Sequence, residues 1–311
     1  MISHDQYPGE PAVPALIEGH YADPHLCVFD GRFYLYPTTD GSHGWDATSF
    51  RAFSSPDLLG WTDHGVVFSL PEDTRWARRH AWAPAVAERE GRYFLYYTAE
   101  QETIGVAVAS SPSGPFADLG EPLIAEGEFP GRAIDPNVFV DDDGTAYLYW
   151  GNGVAHVVPL NEDMVSFEPT RVVSWIPTGF CEAANVHRRG DVYYLSWSEN
   201  DTRDEDYRVR YATSTSPFGP WTDRGVLLEK IPHRGIYGTG HHSIVRIPHS
   251  DEWLIAYHRF AIPDGTGYRR ELAIDPLVHT PDGLLQKVRP SRRPVVRELA
   301  HYRAESKKAS Q

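Results

Sequence analysis

A short phrase recurs five times along this chain of 311 residues, and its spacing restricts the fold more than any other feature. It is a turn carrying Asp or Gly, then an aromatic-rich run. The copies are Asp30-Gly31-Arg32-Phe33-Tyr34-Leu35-Tyr36, Glu90-Gly91-Arg92-Tyr93-Phe94-Leu95-Tyr96, Asp143-Gly144-Thr145-Ala146-Tyr147-Leu148-Tyr149 and Arg189-Gly190-Asp191-Val192-Tyr193-Tyr194-Leu195, with a looser fifth in Ser250-Asp251-Glu252-Trp253-Leu254-Ile255-Ala256-Tyr257. Two strands joined by such a turn form a hairpin. A second phrase, a Pro/Gly turn leading to a large apolar residue, follows each hairpin. It runs from Ser54-Ser55-Pro56-Asp57 to Trp61, from Ser110-Ser111-Pro112 to Phe116, and from Ser214-Thr215-Ser216-Pro217 to Trp221. Weaker copies run from Asn161 to Phe167 and from Thr280 to Leu284.

Each unit therefore holds about four strands, and Gly31, Gly91, Gly144 and Gly190 stand 60, 53 and 46 residues apart. Four-stranded units repeating at this period predict an all-β fold, a five-bladed β-propeller. A β-sandwich has no reason to repeat both turns in order. No sustained 3.6-residue apolar pattern competes. The whole of 1–311 reads as one catalytic propeller domain, with a polar surface tail from about Ala300.

Composition removes several partners. The net charge is −14 and no Lys/Arg-rich run appears, which argues against nucleic acid. No apolar run is long enough to span a membrane. Cys27 and Cys181 lack zinc-type spacing and are expected as free thiols. The stretch Met1 to Gly19 has no apolar signal-type segment, so a cytoplasmic location is expected, or a secreted one if a leader has been trimmed. Aromatic residues are 13%, a load that serves strand packing and also stacking on sugar faces.

In a propeller the first strand of each blade lines the central channel. Those segments read Tyr21-Ala22-Asp23-Pro24-His25, Trp82-Ala83-Pro84-Ala85, Ile134-Asp135-Pro136-Asn137, Cys181-Glu182-Ala183-Ala184-Asn185 and Gly240-His241-His242-Ser243. Aligned on Pro24, Pro84 and Pro136, they place Asp23, Ala83 and Asp135 at one position on successive blades. The alignment puts Glu182 and His241 there in the fourth and fifth. Any single Asp-Pro fits a turn or cap residue. Three carboxylates converging where charge is costly do not fit packing. Glycoside hydrolysis needs this arrangement: an acid for the leaving oxygen and a base or nucleophile across the ring. Crowding raises carboxyl pKa values and keeps an acid protonated. Glu182, with its longer reach, is then expected as general acid, Asp23 as base and Asp135 as tuner.

At these residues the sequence resembles glycoside hydrolase family 43. The motifs are Ala22-Asp23-Pro24, Trp82-Ala83-Pro84, Ile134-Asp135-Pro136, the Glu182 strand and Gly238-Thr239-Gly240-His241-His242-Ser243, spread from about Tyr21 to Pro290. The resemblance implies an inverting mechanism and the same three roles. It implies that His241 lies near a hydrated cation, commonly calcium, mostly water-ligated; a hydrogen-bonded core His without metal is the plainer reading. It implies an Arg contacting sugar and acid, here Arg270, with Arg269 as the rival. Trp82 is expected either as a stacking wall or as blade packing, and Ile134 and Trp45 as further lining. Many relatives carry Glu-Gly-Pro at the acid strand; here it is Glu182-Ala183-Ala184, which bears on the leaving-group side.

The implied function is exo-acting α-L-arabinofuranosidase action on oligosaccharides of arabinan or arabinoxylan, with the loop Asp40 to Asp46 walling off the pocket. A β-D-xylosidase is the alternative, followed by an endo-arabinanase or a β-D-galactofuranosidase. A retaining enzyme using Asp23 as nucleophile and a non-catalytic sugar-binding propeller lie outside that mechanism. Oligomeric state is left open.

Overall fold

The structure, a computed structural model, describes residues 15–292. Most of the Met1 to Gly19 stretch and the tail from Ala300 lie outside the described residues.

Among the described residues, nineteen strands form five antiparallel sheets. Blade I holds β1 (Tyr21–Phe29), β2 (Arg32–Thr39), β3 (Ser49–Ser55) and β4 (Thr62–Ser69). Blade II holds β5 (Trp82–Arg89), β6 (Arg92–Ala99), β7 (Thr103–Ala109) and β8 (Ala117–Asp118). Blade III holds β9 (Asn137–Val140), β10 (Ala146–Trp150), β11 (Ala155–Pro159) and β12 (Val173–Trp175). Blade IV holds β13 (Glu182–Arg189), β14 (Val192–Glu199), β15 (Arg208–Ser214) and β16 (Thr222–Leu228). Blade V holds β17 (Gly240–Arg246), β18 (Trp253–Phe260) and β19 (Arg270–Leu277). The first strands neighbour one another in a closed circle, β17 returning to β1. The fold is the five-bladed β-propeller expected from the repeat.

Both repeated phrases have a structural purpose. In Asp30-Gly31 and Glu90-Gly91 both turn residues have positive φ, the two-residue hairpin that suits the strand twist. The tyrosine that ends the first phrase then reaches the next blade. Tyr36 donates to the Pro112 carbonyl at 2.5 Å, Tyr96 to Met164 at 2.5 Å and Tyr149 to Pro217 at 2.7 Å, so each hydroxyl holds the second phrase of its neighbour. The apolar parts of these strands fill five clusters, one between each pair of adjacent blades. Each buried aromatic stabilises the joint by about 1.5–3 kcal/mol.

Blade V departs from the expected four strands. After the Thr280 to Gly283 turn only an isolated bridge, His279 to Leu285, forms among the described residues. The chain then leaves for blade IV, where the Val288 amide donates to the Leu227 carbonyl at 2.8 Å. The amide that would extend a fourth strand is thereby used elsewhere. The ring is closed instead by contacts between blades V and I: Leu26 N–H donates to Ser243 Oγ at 2.8 Å and Gly41 N–H to the Tyr268 carbonyl at 3.0 Å.

Candidate active site

Four of the five first strands break their register near the start. The slips fall between Ala22 and His25, Trp82 and Ala85, Glu182 and Asn185, and Gly240 and His242. At each slip one non-glycine residue takes a left-handed conformation: Asp23 (φ 49°), Ala83 (46°), Ala183 (59°) and His241 (40°). Asp135 (57°), just before β9, is the fifth. Such bulges re-aim side chains, and strain of this kind gathers at functional sites. The shared position therefore holds Ala183, not Glu182. Glu182 stands one residue earlier, level with Ala22, Trp82, Ile134 and Gly240. Aligning by sequence missed this because blade IV lacks the Pro that marks the bulge elsewhere.

The strained position is secured from the preceding blade. Ala83 N–H donates to Thr38 Oγ1 at 2.7 Å, Asp135 N–H to Thr98 Oγ1 at 3.0 Å and His241 N–H to Ser198 Oγ at 2.9 Å. Asp23 N–H meets His258 Nδ1 at 3.2 Å. Blade III has Gly151 at this place, with no side chain to offer, and the Ala183 amide turns to the Asp135 carboxylate instead.

Asp23 is buried, and three groups meet its Oδ1: His258 Nδ1 at 3.1 Å, His241 Nδ1 at 3.2 Å and Arg270 Nη1 at 3.4 Å. Burial alone would raise its pKa. His241, Arg270 and the His258 hydrogen bond outweigh burial and hold the carboxyl well below the usual carboxylate range. Asp135 is the opposite case. It is also buried, its Oδ2 has no hydrogen-bond partner, and burial with the charges of Glu182 and Asp23 pushes it well above its ordinary value. The crowding foreseen from sequence thus acts on Asp135. Neighbouring carboxyls pushed apart in pKa are a signature of acid–base sites.

Both oxygens of Glu182 accept hydrogen bonds, Oε1 from the Tyr207 hydroxyl at 2.7 Å and Oε2 from Asn152 Nδ2 at 3.1 Å. Tyr207 is fully buried, and burial followed by the Glu182 charge pushes its hydroxyl well above the usual range, so it remains a donor.

Of the two arginines, Arg270 enters the site. It is buried, contacts Asp23 and grips Asp40, with Nε 2.9 Å from Asp40 Oδ2. Arg269 instead donates to the Asp264 carbonyl at the surface. The loop carrying Asp40 also carries Trp45, whose ring stacks on Tyr268 at 4.7 Å and lies 5.9 Å from the Arg270 guanidinium. Trp82 meets Trp45 edge-on at 6.4 Å and donates its indole N–H to the Trp45 carbonyl at 2.6 Å. Trp82 is half-buried, and this contact makes it a brace for the loop. Ile134 is buried beside Asp135.

Asp135, Glu182 and His241 offer one donor atom each within 4.8 Å of one another. Asp135, Asn137 and His241 line a small central cavity. Asp135 Oδ2 and Asn137 Oδ1 are buried there without hydrogen-bond partners. Unpaired oxygens of this kind fit a hard cation such as calcium better than the imidazole alone would.

Sequence reading missed His258, Tyr207, Asn152 and Thr202. One signal was available. The second strands align as Tyr36-Pro37-Thr38, Tyr96-Tyr97-Thr98, Ser196-Trp197-Ser198 and Ala256-Tyr257-His258, with an imidazole where the others have a hydroxyl. Burial and Arg270 lower the His258 pKa to about 4, leaving it neutral near pH 7. Tyr207, Asn152 and Thr202 lie outside the repeated phrases and carry no such mark.

The chain matches the Glycosyl hydrolases family 43 over residues 14–285. It is 36% identical over 282 residues to the beta-D-galactofuranosidase xynD of Aspergillus niger, spanning 86% of this chain and 81% of that protein. It is 31% identical over 340 residues to the xylosidase/arabinosidase 43A of Humicola insolens, spanning 89% and 99%. Among solved structures it resembles a family 43 beta-xylosidase/alpha-arabinofuranosidase from a compost microbial metagenome, in complex with xylotriose, with TM-score 0.77 at 30% identity over 88% of this chain and 96% of that one. The chain therefore belongs to glycosyl hydrolases family 43, and it is a glycoside hydrolase.

Proposed function

We propose that the enzyme is an exo-acting α-L-arabinofuranosidase that inverts configuration at the anomeric carbon of oligosaccharides from arabinan or arabinoxylan. The observation that carries the mechanism is the opposed electrostatics of adjacent carboxyls: Asp23 is held ionised and Asp135 is driven towards its neutral form. Asp23 takes a proton from water. Glu182, aimed by Tyr207 and Asn152, protonates the leaving oxygen. Asp135 acts on both electrostatically, through its own state of ionisation. Arg270, Trp82, Trp45 and Ile134 wall the sugar site, and the loop from Asp40 favours release of single terminal sugars. Calcium in the central cavity would be held by Asn137 and His241 with water completing its shell, and by Asp135 when that carboxyl ionises. It would supply positive charge against the crowded carboxyls.

A β-D-xylosidase is the second reading. It is favoured by the relatives named for both activities and by the solved relative in complex with xylotriose. Hydrolysis of an aryl α-L-arabinofuranoside and an aryl β-D-xyloside, each with wild type and Asp23→Ala, separates the two. Faster arabinofuranoside cleavage, abolished in Asp23→Ala, is expected. Faster xyloside cleavage moves the substrate and keeps the mechanism. An Asp23→Ala enzyme as fast as wild type removes Asp23 from it.

A further inference from the structure

We propose that Thr202 and His258 form a positioning relay for Asp23, in which Thr202 fixes the imidazole of His258 in its Nδ1–H form. The inference rests on the reading of Asp23 as the base. At three blade joints a hydroxyl, that of Thr38, Thr98 or Ser198, accepts the amide of the strained residue in the next blade. Only at the joint leading to Asp23 is that partner an imidazole. A hydroxyl satisfies this amide at three of the other four joints. His258 reaches further, because its Nδ1 lies 3.1 Å from Asp23 Oδ1 as well as 3.2 Å from Asp23 N.

A neutral imidazole nitrogen does not accept from an amide and donate to a carboxylate at once. The other ring nitrogen decides between them. His258 Nε2 lies 3.3 Å from Thr202 Oγ1, and Arg270 Nη1 donates to that same oxygen at 3.2 Å. A guanidinium only donates, so Thr202 accepts there and keeps its single hydrogen free; in the relay that hydrogen turns to Nε2. Nε2 is then the acceptor, and Nδ1 carries the proton and gives it to Asp23 Oδ1, a charge-assisted bond, while the Asp23 amide lies 3.2 Å from the same nitrogen without donating to it. Tyr207, stacked on the ring at 5.4 Å and 10°, holds its plane. His258, His241 and Arg270 all converge on Oδ1, which leaves Oδ2 to take the proton from water.

The test uses the full chain as wild type, Thr202→Val and Thr202→Ser. Imidazole 15N spectra are recorded at neutral pH without substrate, and kcat and KM are measured on the aryl glycoside that wild type cleaves. The relay expects wild-type His258 protonated at Nδ1. In Thr202→Val the proton moves to Nε2 and kcat falls roughly tenfold or more, with KM little changed, as when an orienting hydrogen bond is removed. Thr202→Ser keeps both properties. A wild-type His258 protonated at Nε2 overturns the relay, as does a Thr202→Val enzyme in which either the tautomer or kcat stays at the wild-type state. Should Asp23 not be the base, its Ala variant shows that separately, because the tautomer is read without catalysis.

Discussion

Tyr207 donates a hydrogen bond to Glu182 Oε1 across 2.7 Å, from a residue 25 positions further along the chain. The bond crosses from the loop before β15 to the first residue of β13, and it fixes the side chain assigned as the acid. Tyr207→Phe keeps the ring that stacks on His258 and removes only the hydroxyl. It is expected to lower kcat by roughly tenfold or more, with a larger loss on substrates whose leaving group needs a proton. Stability should fall by about 1 kcal/mol. Rates on a series of aryl glycosides with graded leaving groups check the first point, and urea denaturation checks the second.

Asp23 and Asp135 should respond oppositely to neutralisation. The folded pKa of Asp23 is depressed, so its ionised form stabilises the fold above the unfolded value of about 3.9, and this is lost as pH falls. The folded pKa of Asp135 is raised, so above about 3.9 the unfolded chain ionises while the folded one resists, and stability declines as pH rises. Asp23→Asn is therefore expected to lower Tm at pH 7 and Asp135→Asn to raise it. The Asp135→Asn gain should vanish as pH approaches about 4. Both variants should lose activity. Calorimetry at pH 4, 5.5 and 7 reads the signs.

Arg270 links three things: the base, the loop through Asp40, and the closure of blade V on blade I. Arg270→Ala leaves two buried carboxylates without their shared partner, a change that costs about 3–5 kcal/mol. Arg270→Lys restores charge without the fork and should recover stability only in part. Denaturant midpoints of the two variants beside Arg269→Ala, which should stay near wild type, check this.

The indole of Trp82 holds the Trp45 carbonyl, so Trp82→Phe should loosen the loop rather than empty the pocket. A rise in KM with kcat nearly kept is expected, and Trp45→Ala should raise KM further. Steady-state kinetics on an aryl glycoside and on an arabino-oligosaccharide check both.

The blades were readable because both repeated phrases do mechanical work: Gly31 and Gly91 allow the tight hairpins, and Tyr36, Tyr96 and Tyr149 tie each hairpin to the next blade. Asp23 and Asp135 were readable because Pro24 and Pro136 mark the bulge. Glu182 was found but set one residue out of place, since blade IV bulges at Ala183 without a proline. Tyr207 and Asn152 stayed hidden because they act through loops whose approach to Glu182 depends on the closed ring. The incomplete fifth blade was hidden for a related reason: the segment after Gly283 finds its partner in Leu227, far away in sequence.

In the proposed mechanism, water activated by Asp23 attacks opposite a leaving group protonated by Glu182. Proton NMR of the sugar released at the earliest times, before mutarotation, tests this most directly. From an aryl α-L-arabinofuranoside, or a β-D-xyloside if that is the better substrate, the expected first-formed sugar has inverted anomeric configuration. A first product with the substrate's own configuration would contradict it and would make Asp23 a nucleophile.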